Sequence, residues 1–257
     1  MLFRVSGCAL NAKSLERLCS YYRQALEEVA DKWEPEVVKA SAGEPVYVMI
    51  NGTMLFTPEE GWKEMKWGRI FKASGRICAP RRITLRGSTY VARLGPHAAF
   101  LAELEKRLID LLQKIIIADG AAWIWNYFEA FAPTATQILD FYPAVEKLSS
   151  FARVLFRNQR RRKQWRARQI QLLRADGVES VIAELESLSC RAGQASSEQL
   201  INYYRRHKKR MLYGTYESLG YLIGSGAIES AHRNVFDKRL KLWGQGWTKK
   251  GYNKLLI

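Results

Sequence analysis

Two acidic residues stand where a folded backbone would fix a carboxylate for chemistry. Asp119 directly follows the apolar run Ile115–Ala118, which predicts a buried strand, and ligands of α/β sheets bind at the carboxyl ends of strands. Glu229 lies in the first turn of a predicted helix, just after the Gly-Ser-Gly loop 224–226. The helix dipole stabilises a carboxylate there, so a purely structural role for Glu229 is the alternative. Because 110 residues separate the two acids, only the fold could bring them together.

Two further polar residues also end predicted strands. Asp140 follows the strand Ala135–Leu139 and could join a site or simply cap the next helix, whose first turn would contain Pro143. Asn51 ends the first strand, and its amide offers a neutral oxygen where a carboxylate would bring a negative charge. A two-metal phosphoryl-transfer site is built from such residues around Mg²⁺ ions roughly 3.5–4 Å apart. These hard oxygen ligands predict a Mg²⁺ site, with Mn²⁺ as a second option.

Apolar patterning indicates the elements that would position these residues. Apolar runs predict five strands, whereas residues 144–213 and the segment Ala227–Leu242 show only helical spacing. The strands are VYVMIN from Val46, then Lys63–Lys72, Ser88–Leu94, Lys114–Ala118 and Ala135–Leu139. Other helices are predicted over Ser14–Trp33, Ala98–Leu112 and Ala121–Phe131. The order predicts an α/β layer with a large helical insertion.

The positive charge of the chain is concentrated in its C-terminal half. The formal net charge is +16, yet Phe151–Ile170, Tyr203–Tyr213 and Arg233–Lys250 together sum to +18, and the other 208 residues sum to −2. The aromatic residues interleaved with this charge are Trp165, Tyr203, Tyr204, Trp243 and Trp247. Basic segments with interleaved aromatic rings favour nucleic-acid contact over a merely solvated face or a membrane-surface helix.

Composition excludes several other classes of protein. With 47% hydrophobic and 26% charged residues among 257, the chain is typical of a globular protein and not of a disordered one. It has neither an apolar run of the roughly 18–20 residues that span a bilayer nor a signal peptide. The four cysteines form no CxxC pair, which favours unpaired thiols in a reducing compartment. We therefore expect a cytoplasmic protein without membrane contact.

Five segments of the chain are similar to one known family. They are Val46–Thr53, Gly61–Phe71, Ile117–Trp125, Gln137–Tyr142 and Ile223–Lys241. These segments resemble bacterial insertion-sequence transposases, which have an RNase H-like DDE core, in the Mutator-like arrangement. The last segment, IGSGAIESAHRNVFDKRLK, is the longest and most specific. The resemblance covers nearly the whole chain from about Leu15 onward.

The resemblance implies an α/β fold, with an RNase H-like mixed sheet flanked by helices and a large all-α insertion before the last catalytic helix. Residues 1–44 would form an N-terminal helical segment, 45–143 the first part of the core, 144–222 the insertion, and 223–257 the final core helix and basic C-terminal segment. The implied reaction is Mg²⁺-dependent cleavage and strand transfer of an insertion sequence. The implied partners are double-stranded DNA, at element ends and target, and further copies of the chain, in the nucleoid-associated cytoplasm of a bacterium.

The same resemblance assigns functional positions. The catalytic and metal-binding positions of the family fall on Asn51, Asp119 and Glu229. Its Asp-x-x-His element begins at Asp140 and ends at Pro143, while His232, one turn after Glu229, would orient that carboxylate or contact DNA. The basic clusters, and not the resemblance, give the positions expected to contact DNA: Arg160, Arg161, Arg162, Lys163, Arg166, Arg168, Arg205, Arg206, Lys208, Lys209, Arg210, Arg239, Lys241 and Trp247.

Departures from the family pattern point to a degenerate copy. Asn51 replaces an Asp, Pro143 replaces a His, and Gly246 stands where an Arg usually precedes the Trp. The family also extends further at both ends, so a truncated copy is expected. A missing carboxylate removes charge that holds the metal ions, and electrostatic losses of this kind commonly cost orders of magnitude in rate. The ring nitrogen of Pro143 belongs to the peptide bond, so unlike that of a His it can neither orient nor move a proton. Weak or absent activity follows.

The sequence is compatible with three functions. The first is a DDE transposase, and the second is a non-catalytic nucleic-acid-binding remnant whose DNA affinity depends on salt. The third is a repair or Holliday-junction nuclease of similar fold, which the segment Gly224–Lys241 disfavours. Of the remaining residues, His97 is expected at the surface and His207 against phosphate. Trp123 and Trp125 are expected to lie in the core, whereas Trp247 is the better base-stacking candidate.

Overall fold

A mixed five-stranded sheet and a following block of helices form the part of the chain that the computed structural model describes. The described residues are 43–79, 82–108, 111–192 and 194–224, with isolated positions 14, 17, 18, 21, 22, 24, 25, 38, 40, 41, 226, 248, 249 and 252. The strands are β1 (Val46–Thr57), β2 (Gly61–Lys72), β3 (Arg76–Ala79), β4 (Arg82–Leu85), β5 (Thr89–Leu94), β6 (Lys114–Ala118) and β7 (Thr136–Leu139). The main helices are α1 (His97–Leu108), α2 (Ala122–Phe131), α3 (Phe141–Leu155), α4 (Gln159–Arg174), α5 (Val178–Ala192), α6 (Gln194–His207) and α7 (Tyr213–Ser218).

The sheet has the strand order β5-β2-β1-β6-β7. Strand β2 is antiparallel to both of its neighbours, β5 and β1, whereas β6 and β7 run parallel to β1. A hairpin joins β1 to β2 at Thr57 and Gly61, and Gly61 has a φ of +70°, which favours glycine. Strands β3 and β4 form a separate two-stranded ribbon.

The two halves of β1 have different surroundings. Val46–Ile50 is buried throughout because this half is hydrogen-bonded on one side to β2 and on the other to β6. A strand covered in this way has a continuous apolar run, as does β6. From Asn51 onward, β1 pairs only with β2, and exposed and buried positions are mixed. Asn51 is therefore the first residue of β1 beyond the end of β6.

Helices cover the sheet through apolar stripes. Helix α1 buries Phe100, Leu101, Leu104 and Leu108, at spacings that place them on one face. Helix α2 connects the parallel strands β6 and β7 and buries Ile124, Trp125 and Phe128. The position of Trp125 in the core is thus confirmed, while Trp123 is half-buried and its ring is stacked on exposed His97.

The helical block is held together by polar side chains as well as apolar ones. The indole nitrogen of Trp165 and the amide of Gln169, both on α4, donate to the carboxylate of Glu184 on α5. Asp176, after α4, accepts hydrogen bonds from the backbone N–H groups of Gly214 and Thr215 in α7. These contacts fix helices that are distant in sequence against one another.

Two of the aromatic residues whose interleaving with positive charge favoured nucleic-acid contact belong to the core instead. Trp165 is 8% exposed and packs against Phe151 and Phe156. Tyr204 is 0% exposed, and its hydroxyl donates to the backbone oxygen of Ala144 on α3. The interpretation of these two rings as nucleic-acid contacts was therefore wrong, because helix packing buries them.

The five predicted strands are confirmed to within a few residues at each end, except that β1 extends six residues beyond VYVMIN, to Thr57. The ribbon β3–β4 was not predicted. Helix α3 begins at Phe141, so the boundary placed between residues 143 and 144 lies inside a helix. The predicted helix Ala227–Leu242 lies outside the described residues apart from its flank at position 226. Of the helices that are described, none combines the length and the apolar character needed to cross a membrane.

Candidate active site

Three polar residues meet at the carboxyl ends of neighbouring parallel strands. The last parallel pairs of the sheet are Ile50 with Ala118 and Ala118 with Leu139. The next residue on each strand is Asn51, Asp119 or Asp140. The backbone N–H of Asp140 still donates to the oxygen of Ala118 at 2.8 Å, which keeps the strand ends in register. Because residues in register point to the same side of a sheet, the three side chains form one polar edge.

Asp119 is held by its own loop. One carboxylate oxygen accepts a hydrogen bond from the backbone N–H of Ala121 at 3.0 Å, and the backbone carbonyl accepts from the Trp125 indole at 2.9 Å. The side chain is half-buried, and its second oxygen has no hydrogen-bond partner among the described residues. Asp119 therefore has a fixed orientation and, as far as the described ranges extend, one oxygen available to a ligand.

Asp140 has the capping role that the sequence left open. It is 3% exposed, and Oδ1 accepts from the backbone N–H of Tyr142 at 3.0 Å, so it caps the N-terminus of α3. Pro143 lies in the first turn of the same helix, a position where its lack of an N–H costs nothing. A cap of this kind also fixes where the carboxylate points, because the backbone of α3 holds one of its oxygens.

Asn51 uses its side-chain oxygen locally. Oδ1 accepts a hydrogen bond from the N–H of Gly52 at 2.7 Å. Across the hairpin, Asn51 faces Trp67, which is buried. The edge therefore has two carboxylates and one neutral amide from its three strands.

The segment before the last predicted helix begins beside this edge. The oxygen of Ile223 accepts from the N–H of Phe141 at 3.0 Å. A Cβ on Gly224 would lie 2.6 Å from the Tyr142 ring and 3.3 Å from Oδ1 of Asp140, so a larger residue would have to displace that ring. The loop that leads to Glu229 thus starts next to Asp140. The predicted site residues Glu229, His232, Arg239, Lys241 and Trp247 lie outside the described residues.

Helix α6 contributes two residues that sequence reasoning did not assign to the site. Tyr203 and His207, one turn apart, contact Gly120 directly after Asp119. Their only sequence signal is an aromatic spacing of four residues inside a strongly basic run, which charge counting obscures.

His207 is buried, contrary to the expectation of a phosphate contact. It is 1% exposed, and burial lowers the pKa of His207 to about 4, with a further lowering from Arg210 and Arg206. A hydrogen bond to the backbone of Gly120 opposes this shift only in part. The imidazole is therefore neutral at physiological pH.

The described residues fit a hard cation incompletely. Among them, no group of three or more His, Cys, Asp and Glu side chains could hold a metal ion. The oxygens of Asp119 and Asp140, with the amide of Asn51, are the ligand type that Mg²⁺ prefers, but they bring only two negative charges. Within the described ranges, Asp119 and Asp140 would hold such an ion.

A basic groove lies next to the polar edge, between α3 and α4. It is lined by Tyr142, Glu146, Arg153, Arg162, Lys163 and Arg166, among others. Tyr142, two residues after Asp140, is exposed. Arg160, Arg161 and Lys163 of α4 are exposed and form no ion pair with a described carboxylate. Lys163 thus faces solvent in the groove, and Arg160 and Arg161 face solvent beside it on α4.

Other basic residues that were expected to contact DNA have internal partners. Arg168, Arg205 and Lys208 pair with the glutamates of α5, namely Glu184, Glu186 and Glu179. Arg210 is buried; it pairs with Glu129 of α2 and donates to Gln137 of β7. Arg210 is therefore not accessible to a phosphate, unlike the prediction, because it joins the helical block to the sheet.

Comparison with protein-family models and with curated proteins finds no match. Any function must therefore be inferred from the polar edge, from the basic groove and from the residues of α6 that contact the edge.

Proposed function

We propose that the protein is a DDE-type DNA transposase with an RNase H-like fold, weakened by Asn51 and Pro143. The observation that supports it most strongly is the register that brings Asn51, Asp119 and Asp140 to one edge of the sheet. Asn51 and Asp119 are the residues that the resemblance assigns to the first and second catalytic acids. The start of the glycine-rich loop beside Asp140 is compatible with Glu229 as the third.

The architecture is also compatible with this proposal. Three antiparallel strands followed by two parallel ones, with a helical block after the last strand, agree with an RNase H-like core and its insertion. Mg²⁺ or Mn²⁺ at the edge would supply Lewis-acid stabilisation of an in-line phosphoryl transfer. Asp119 and Asp140 would provide carboxylate oxygens there, while Asn51 adds no charge. Compared with a site of three carboxylates, such a site would keep its geometry but bind and use the metal ion less well, because it carries one negative charge fewer.

The proposed substrate is double-stranded DNA. The groove between α3 and α4 combines four cations with one carboxylate, which suits a phosphate backbone, and it opens next to the strand ends. A DNA strand lying in this groove would contact the exposed ring of Tyr142, which lies two residues after Asp140. One of its phosphodiesters would therefore lie near Asp140. Cutting and positioning would thus take place on adjacent surfaces.

Restoring the two missing groups tests the proposal. The assay measures strand cleavage and strand transfer with Mg²⁺ or Mn²⁺ on DNA that carries the terminal repeats flanking the coding region. We expect little product from the unaltered chain and about a hundredfold more from the double variant Asn51→Asp, Pro143→His. Adding Asp119→Asn to the double variant should abolish the product. High activity of the unaltered chain, unaffected by Asp119→Asn, would exclude this site.

A second function, a non-catalytic DNA-binding remnant, is favoured by one specific observation. The side-chain oxygen of Asn51 is engaged by Gly52, so the first catalytic position is both neutral and locally hydrogen-bonded. This alternative is supported if no variant yields product although the chain binds DNA.

DNA binding itself can be tested through its salt dependence. Replacing Arg160, Arg161 and Lys163 with Gln should reduce the slope of log K against log salt by about 0.9 for each phosphate that the variant no longer binds. The matched control is Arg205→Gln, which removes a cation already paired with Glu186. An affinity that does not change between low and moderate salt would contradict both proposed functions.

A further inference from the structure

Helix α6 closes tightly on the loop that follows Asp119. A Cβ on Gly120 would lie 2.4 Å from Cε2 of Tyr203 and 3.3 Å from Nε2 of His207. The rings of Tyr203 and His207 are 4.9 Å apart, and the histidine donates to the backbone of Gly120. Only glycine permits this approach, so the contact between the helical block and the strand-end loop is built into the sequence at position 120.

The closed helix leaves two buried polar atoms without partners in the described part of the chain. They are the hydroxyl of Tyr203 and Nδ1 of His207. A buried hydroxyl usually finds a hydrogen bond, because a buried polar group that stays unpaired is unfavourable. The Tyr203 hydroxyl lies near enough to Asp119 and Asp140 for both charges to add to the effect of burial in raising its pKa. It is therefore a protonated donor beside the carboxylates, bonded to neither.

The half-buried ring of Tyr203 borders a groove between α3 and α6, whereas its hydroxyl is buried. The groove is also lined by Pro143, Glu146, Lys147 and Gln199. The ammonium group of Lys147 lies 4.7 Å from the centre of the Tyr203 ring. Lys147 is exposed and would pair with a phosphate at this opening, where the carboxylate of Glu146 is the opposing charge.

We propose that Tyr203 is a substrate-contacting residue whose hydroxyl donates a hydrogen bond to a non-bridging phosphate oxygen of DNA held at the Asp119–Asp140 edge. This inference rests on the proposed nucleic-acid function. His207 and Gly120 are positioning residues, since they hold the phenol ring over the strand-end loop. A neutral donor suits the position: it binds the phosphate without forming an ion pair with the neighbouring carboxylates.

The neighbouring residue on α6 provides a matched control. Tyr203→Phe and Tyr204→Phe each remove one buried hydroxyl, but the hydroxyl of Tyr204 is bonded to Ala144. The first readout is affinity for a short 5′-phosphorylated single-stranded oligonucleotide in Ca²⁺, by fluorescence anisotropy. We expect Tyr203→Phe to weaken binding about tenfold to a hundredfold, the usual effect of losing a hydrogen bond to a charged group, and Tyr204→Phe to leave it unchanged.

Two further readouts separate substrate contact from structure. Tyr203→Phe should not lower the melting temperature, because it removes an unpaired group, whereas a purely structural tyrosine would lower it. In the Asn51→Asp, Pro143→His background, Tyr203→Phe should also slow DNA cleavage by a similar factor.

Each contrary outcome has a distinct meaning. Equal oligonucleotide affinity of the unaltered chain and Tyr203→Phe would overturn the assignment of Tyr203 and leave the proposed function standing. A loss of affinity matched by a fall in melting temperature would assign Tyr203 to the core and also overturn it. Failure of the unaltered chain to bind any DNA would overturn the proposed function and, with it, the role of Tyr203.

Discussion

The sheet and the helical block position their polar residues by different means. At the sheet edge, Asn51, Asp119 and Asp140 are placed by backbone register, and each side chain accepts a hydrogen bond from a nearby backbone N–H. In the helical block, side chains position one another: Glu184 binds Trp165 and Gln169 across two helices. At the edge, the main chain fixes where the polar side chains lie, whereas in the block specific hydrogen bonds between side chains do so.

This difference teaches how each region should tolerate change. A substitution at a strand end alters the chemistry but leaves the location of the side chain intact, because the main-chain ladder remains. A substitution in the block removes a partner and leaves a buried group unpaired, which costs stability. We therefore expect edge variants to affect metal and substrate binding, and block variants that remove a buried, bonded side chain to affect folding.

The largest expected effect on stability belongs to Arg210. Its guanidinium pairs with Glu129, donates to Gln137 at 2.8 Å and lies 4.6 Å from the Trp125 ring centre. Arg210→Met should lower the free energy of unfolding by about 2–3 kcal/mol, measured by urea denaturation. Arg205→Met, in the same basic run but exposed, should cost less than about 0.5 kcal/mol. If Arg210→Met and Arg205→Met lowered the free energy of unfolding equally, Arg210 would be a surface cation like Arg205.

The pH dependence of stability should report the burial of His207. Its pKa in the folded protein, about 4, lies below the ordinary value of 6.5, so the unfolded chain binds more protons between these values. The free energy of unfolding therefore falls as the pH is lowered, by on the order of 2 kcal/mol from pH ~7 to pH ~4.5. Thermal denaturation of His207→Gln should lack this contribution. Identical pH profiles for the two proteins would contradict the buried, neutral state of His207.

Asn51→Asp tests whether the edge keeps its geometry when its charge changes. A third carboxylate in register with Asp119 should destabilise the metal-free protein by roughly 0.5–1 kcal/mol through like-charge repulsion. Mg²⁺ at ten times its dissociation constant should then stabilise the variant by about 1.4 kcal/mol. The measurement is the melting temperature with Mg²⁺ and with chelator, and Asp119→Asn in the same background is the control. If the melting temperature of the variant were the same with Mg²⁺ and with chelator, the result would argue against a metal site at this edge.

The smallest expected effect comes from a single neutral hydrogen bond in the block. Tyr204→Phe removes the bond from α6 to the oxygen of Ala144 and should cost about 1 kcal/mol by urea denaturation. Tyr203→Phe, whose hydroxyl is unpaired among the described residues, should cost nothing or slightly stabilise. The comparison of sheet and block would fail if Tyr203→Phe were the more destabilising of the two.

Local patterns predicted much of the sheet and part of the site. The strand Lys114–Ala118 was located to the residue, because a short apolar run that ends in Asp-Gly is a local signal. The possible cap at Asp140 followed from the same logic and is confirmed. The ribbon β3–β4 was not found, since its sequence has neither clear alternation nor a long apolar run.

Charge counting was less informative in the helical block. It treated Arg160 and Arg210 alike, although one is exposed and the other joins α2 and β7 to the block. It also assigned Trp165 and Tyr204 to a binding surface, although both are buried. Burial depends on partners that are 19 to 81 residues away in these cases, and a local window does not contain them.

The sequence by itself determined the types of residue at the strand ends, the neutral amide at position 51 and the concentration of positive charge in the C-terminal half. These are properties of single residues and short windows, where propensity and apolar spacing act. Only the tertiary structure determined that Asn51, Asp119 and Asp140 share one edge, which cations face solvent, and that Tyr203 and His207 close on Gly120. Strand register and helix packing arise from contacts between distant segments, so they are properties of the folded chain as a whole.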